Sequence, residues 1–148
     1  MRLALSLLCA LVLTGSAWSQ AMFWSSEPFR DQDLPFSEAV RVGDTLYLAG
    51  TLGVNPATVD LVPGGIEAET RQLMDNIGAV LHQMGRDYRH LVYCTVFMAD
   101  MDEWDAMNEV YKTYFEPGKY PARAAVEVSG LALDARVELQ CIATLLGE

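Results

Sequence analysis

Few side chains in this sequence are suited to chemistry, so the search for a site is short. The 148 residues include two histidines and three cysteines. No Ser-His-Asp order, nucleophile elbow or phosphate loop is present. Gly50-x-x-Gly53 lacks the length and the following helix of a phosphate loop and reads as a turn. His82 and His90, in or just after the first expected helix, read as surface residues. Cys94 and Cys141 lack zinc-ligand spacing, so no metal is expected. A disulfide between them and two small buried thiols both remain open, and the buried thiol is the commoner state inside a strand. Two features stand out. Pro121-Ala122 leads stiffly into a strand that places Arg123 near its start. An arginine there either makes a surface ion pair or offers its planar fork to a carboxylate through two parallel hydrogen bonds. Glu138 lies mid-strand, where acids are disfavoured. It is either on a solvated face or placed to hold and deprotonate a water.

The elements that must position these two residues follow from periodicity. Val40 and Val42 lead through Gly43-Asp44 into Thr45-Leu46-Tyr47-Leu48-Ala49, a two-residue hairpin signal. Ile66, Leu73, Ile77, Val80, Leu81 and Met84 recur at helical spacing over residues 66–84, with Glu67 and Glu69 in the first turn and Gly85 at the end. Residues 91–98 (LVYCTVFM) have no polar face and predict a central strand covered on both sides. Asp100 or Asp102 can cap a second helix whose apolar stripe is Trp104, Met107, Tyr111, Tyr114 and Phe115, stopped by Pro117-Gly118. Residues 123–128 and 136–145 alternate. Arg123, Ala125 and Glu127 share one side, and Glu138 and Gln140 lie opposite Val137, Leu139 and Cys141. The predicted order is β-β-α-β-α-β-β, an α+β two-layer sandwich with both helices on one face of a mixed sheet. The other face needs cover, which self-association would supply.

Composition narrows the function. The net charge is −10, which opposes binding to nucleic acid. Residues 1–19 (MRLALSLLCALVLTGSAWS) have the charged start, short apolar run and small-residue end of a secretory signal peptide. The run is too short to span a bilayer. These features predict an exported protein, periplasmic or secreted, with no membrane span after cleavage. Residues 20–34 have no clear period and read as an N-terminal tail, leaving residues 35–148 as one domain.

The runs PFSEAVRVGDTLYLAGTLGVNP, GIEAETRQLMDNIGAVL, VYCTVFMADM, WDAMNEVYKTYF, YPARAAVEVSGLAL and ARVELQCIA together resemble the RidA (YjgF) family of enamine/imine deaminases, over residues 36–143. The resemblance implies a chorismate-mutase-like fold assembled as a homotrimer, with a site at each subunit interface and no cofactor. It implies that Arg123 binds the carboxylate of a 2-enamino or 2-imino acid and that Glu138 orients the attacking water. Asn108 would contribute near the site, and Gly50 would line the cleft. Phe36 and Ala125 occupy family site positions where tyrosine and cysteine are common, while Ala49 and Thr51 replace the usual serine and glutamine. Lost hydrogen bonds to a charged or reacting group cost about 1.5–3 kcal/mol each, so these changes imply slower turnover or a different substrate. The implied activity is hydrolytic deamination to a 2-oxo acid and ammonia. The rival reading is a non-catalytic module, on the same trimer, that binds small carboxylates or protects proteins.

Overall fold

The computed structural model describes residues 20–147. The elements are β1 (Met22–Trp24), α1 (Glu27–Arg30), β2 (Ala39–Val42), β3 (Thr45–Leu48), β4 (Thr51–Leu52), α2 (Gly65–Gln83), β5 (Leu91–Met98), α3 (Trp104–Tyr111), β6 (Ala122–Glu127) and β7 (Val137–Thr144). They form one sheet in the order β1-β2-β3-β7-β5-β6, with short β4 also pairing to β7. All pairings are antiparallel except β5 with β6. That parallel pair needs a crossover, and α3 lies in it.

The β2–β3 hairpin pairs Val42 with Thr45 across Gly43-Asp44. Gly43 has φ 59°, the left-handed conformation that such a tight loop requires. Helix α2 buries Ile66, Leu73, Met74, Ile77 and Leu81, and α3 buries Met107, Val110 and Tyr111. Both stripes meet Leu46, Leu48, Val96, Leu139 and Cys141 from the sheet in one core. The helices therefore share one face, and the two-layer α+β architecture is as the periodicity predicts. The other face carries Tyr47, Val92, Tyr93 and Val126, all between 39% and 47% exposed.

Four readings are corrected or completed by the structure. Strand β5 is central, between β7 and β6, but only one of its faces is buried, since Val92 and Tyr93 are exposed. Within one chain, its missing polar face is an apolar outer surface. His90 is buried, not a surface residue. It follows a tight turn in which the Asp87 side chain accepts from Arg89 N and the His90 ring accepts from Asp87 N. Cys94 and Cys141 are bonded as a disulfide, because the β5–β7 register sets them directly opposite one another. Finally, residues 20–34 are not a featureless tail. Met22–Trp24 extends the sheet along β2, and Glu27–Arg30 forms one helical turn. Edge pairing comes from backbone groups, so side-chain periodicity carried no sign of it. The secretory signal expected at residues 1–19 lies outside the described residues.

Candidate functional site

Helix α3 presents three residues to Arg123. Trp104, Asn108 and Tyr111 are spaced four and three apart, which stacks them on one helix face. The Arg123 guanidinium carbon lies 4.7 Å from the Trp104 ring centroid and 4.6 Å from that of Tyr111. Its Nη2 donates to Asn108 Oδ1 at 2.6 Å. Two aromatic faces and one amide thus fix the plane of the fork. Contacts of this kind contribute roughly 0.5–2 kcal/mol each, more when desolvated. Burial pulls the guanidinium below its ordinary value, partly offset by the neighbouring Tyr111, and an arginine remains cationic under any such shift. The Tyr111 hydroxyl is buried without a hydrogen-bond partner among the described residues. Burial pushes its pKa up to about 12, so it stays a neutral donor.

Glu138 lies with Gly50. A Cβ placed on Gly50 would sit 1.9 Å from Glu138 Oε1. The carboxylate therefore rests directly on this backbone, an approach that any side chain at position 50 would block. Burial raises the Glu138 pKa. Phe36 is on the loop that leads into β2. The Glu38 carbonyl accepts from Ala49 N at 2.9 Å, tying that loop to the residue before Gly50. Phe36 is half exposed and meets Phe29 edge-on, with ring centroids 5.4 Å apart.

The expected residues thus fall into two groups. Arg123, Asn108 and Ala125 belong to the helix-covered face: Arg123 pairs with buried Cys94, and Ala125 pairs with buried Val96. Glu138 alternates with buried Val137 and Leu139 and points to the opposite face, next to Gly50. One chain does not bring the groups together. Sequence reasoning missed Trp104 and Tyr111 as partners of Arg123 and read them only as core. Their spacing relative to Asn108 was the available signal.

The family model described as Endoribonuclease L-PSP matches residues 30–145. The chain belongs to this family, known also as the RidA (YjgF) family. A protein of Mus musculus named 2-iminobutanoate/2-iminopropanoate deaminase is 44% identical over 109 residues, covering 74% of this chain and 80% of that protein. Reactive Intermediate Deaminase A, chloroplastic, of Arabidopsis thaliana is 38% identical over 111 residues, covering 75% and 59%. The crystal structure of RidA from the Antarctic bacterium Psychrobacter sp. PAMC 21119 superposes with a TM-score of 0.71 at 34% identity, covering 75% of this chain and 89% of that one. The RidA resemblance and fold therefore hold.

The expectation of an exported, periplasmic or secreted protein does not. The relatives of this RidA-family chain include a chloroplastic deaminase. The stretch on which export rested is outside the described residues. Among the described residues, no helix is long and apolar enough to cross a membrane.

Proposed function

We propose that this chain hydrolyses reactive 2-enamino and 2-imino acids to 2-oxo acids and ammonia, as a homotrimer whose sites lie between subunits. The observation that carries the reading is the pre-set Arg123 fork. With Trp104, Tyr111 and Asn108 fixing its plane, its remaining N–H donors are oriented for the carboxylate of the substrate. Orientation achieved before binding lowers the cost of ordering the complex.

The chemistry then needs a water and a base. An enamine first takes a proton on carbon and becomes its imine tautomer. Glu138, partly desolvated, accepts a proton as the water oxygen bonds to the C=N carbon. The nitrogen takes up a proton, giving a carbinolamine. Its C–N bond breaks, ammonia leaves, and the hydroxyl loses its proton to become the 2-oxo group. No cofactor enters this balance.

The placement of the groups supports this assembly. Arg123 is on edge strand β6, while Glu138 points from the open face. A second copy packed on that face, which carries Tyr47, Val92, Tyr93 and Val126, and reaching around the β6 edge would set its Glu138 beside the first copy's Arg123. Closed rotational symmetry repeats the contact without leaving an open end.

The test is ammonia release from 2-iminopropanoate generated in place by an amino-acid oxidase. Wild type should accelerate release over the uncatalysed rate. An Arg123→Ala variant that matches wild type would remove Arg123 from the mechanism.

A further inference from the structure

The Gly50-x-x-Gly53 spacing marks two close contacts of one short segment. At one end, Glu138 rests against Gly50. At the other, a Cβ on Gly53 would lie 2.5 Å from the Glu69 carbonyl oxygen and 2.6 Å from Glu69 Cα, so the segment packs backbone to backbone on α2. Between the two glycines is β4, only Thr51 and Leu52, which stands off the main strand order and pairs with β7 at Leu139 and Glu138. So short a pairing holds a strand weakly. Asn76 on α2 adds to it. Its Nδ2 donates to the Leu52 carbonyl at 3.1 Å and to the Val54 carbonyl at 2.9 Å. Carbonyls only accept, so both amide hydrogens are engaged on this segment. Gln72, one turn earlier on α2, donates from Nε2 to Asn76 Oδ1 at 2.9 Å and fixes which end of the amide faces β4.

We propose that Asn76 is a positioning residue for the reaction: through β4 it holds the Gly50 backbone against Glu138 and so sets where that carboxylate stands. Asn76 acts through β4, and Gln72 acts through Asn76. Without the amide, the Leu52 and Val54 carbonyls each lose a donor, β4 loosens, and Glu138 loses the surface it rests on. Arg123, on β6 beside α3, keeps its own supports. This inference rests on the deaminase reading of Glu138.

The experiment uses Asn76→Asp, which keeps the shape and replaces both donors with an acceptor. Misplacing a catalytic group by about 1 Å costs roughly 100-fold in rate, so kcat on the alanine-derived imine should fall by about tenfold to 100-fold. Calorimetric affinity for pyruvate, which reads Arg123, should stay at the wild-type value. On a Glu138→Gln background the same change should cost nothing further, because its effect passes through Glu138. An equal fractional loss on both backgrounds, or a matching loss of pyruvate affinity, means a general structural role and overturns the proposal, as does an unchanged kcat. Gln72→Leu keeps Asn76 and should show the same split at about twofold to tenfold. It carries the test if Asn76→Asp does not fold, and a wild-type kcat in it then overturns the proposal. Amide hydrogen exchange over residues 50–54 reads the hold on β4 without turnover. Faster exchange there in an Asn76→Asp protein whose parent turns over no imine sustains the hold and removes the deaminase reading. Exchange equal to wild type overturns the hold.

Discussion

Arg123 and Glu138 occupy opposite faces of the same sheet. The register fixes this: Arg123 pairs with Cys94, Cys94 with Cys141, and Glu138 lies an odd number of residues from Cys141 along β7. Successive side chains on a strand alternate in direction, so no rotamer change brings the two groups together within one chain. If they act on one substrate, they come from different subunits. Mixing subunits tests this. Arg123→Ala and Glu138→Gln preparations should each be nearly inactive. Denatured together and refolded as equal mixtures, they should recover about a quarter of wild-type activity, the share of interfaces in a randomly mixed closed ring that pair one intact Arg123 with one intact Glu138. A mixture no better than its components would place the whole site in one subunit.

The fork at Arg123 should be more demanding than its charge alone. A bidentate pair contributes two charge-assisted hydrogen bonds of about 1.5–3 kcal/mol each. Arg123→Ala should therefore lower kcat/KM by at least about 100-fold. Arg123→Lys keeps the charge and loses the plane, so it should recover little of that. The aromatic supports act through Arg123. Trp104→Leu preserves an apolar side chain but removes one π-face, and it should raise KM about twofold to thirtyfold. Steady-state kinetics with the alanine-derived imine reads all three, and an active Lys variant would show that charge suffices.

Gly50→Ala probes Glu138 without touching it. The added methyl would fall within 1.9 Å of Glu138 Oε1, so the carboxylate must swing away. Activity should fall toward that of Glu138→Gln while Arg123 still binds 2-oxo acids. Parallel kinetics and calorimetry separate the two effects. Unchanged kcat in Gly50→Ala would mean that the Glu138 position seen here is not the working one.

The cross-strand disulfide should contribute to stability. Cys94 and Cys141 close a loop with a sequence separation of 47. A bridge of this span typically contributes about 2–4 kcal/mol, by restricting the unfolded chain. Chemical denaturation in the presence and absence of reductant should show a difference of that size, and a Cys94→Ala/Cys141→Ala variant should match the reduced form. Equal midpoints with and without reductant would mean that the two sulfurs are not joined in solution.

Much of the fold was legible because burial imposes period. Leu73, Ile77 and Leu81 mark α2, and Val137, Leu139, Cys141 and Ala143 mark β7, in each case through a one-sided apolar pattern. The open face was also inferable, since both helices have a single stripe. Backbone-driven features were not legible. Strand β1 leaves Met22 and Phe23 exposed and joins the sheet through edge hydrogen bonds. The Cys94–Cys141 bond depends on register, which spacing along the chain does not reveal. Arg123 and Glu138 stood out as candidates, but the aromatic support of Arg123 did not, because Trp104 and Tyr111 satisfy the core pattern and the site at once.

Glu138 ties activity and stability to one titration. Burial raises its pKa above the ordinary value of 4.5, so the unfolded chain ionises it at lower pH than the folded chain does. Its stabilising contribution is fully present below the unfolded value and is lost as pH rises through the raised folded value. Removing the charge should therefore help folding at neutral pH and have no such benefit in acid. The Tm of Glu138→Gln is expected to rise relative to that of wild type as pH increases from acid to neutral. The base form of Glu138 is the working one, so wild-type kcat/KM should rise with pH through the same raised folded value. The variant should lose that acid limb along with most of its activity. Melting curves and pH–rate profiles on the same two proteins make the comparison. An acid limb that persists unchanged in Glu138→Gln would assign the titration to another group, and with it the handling of the water.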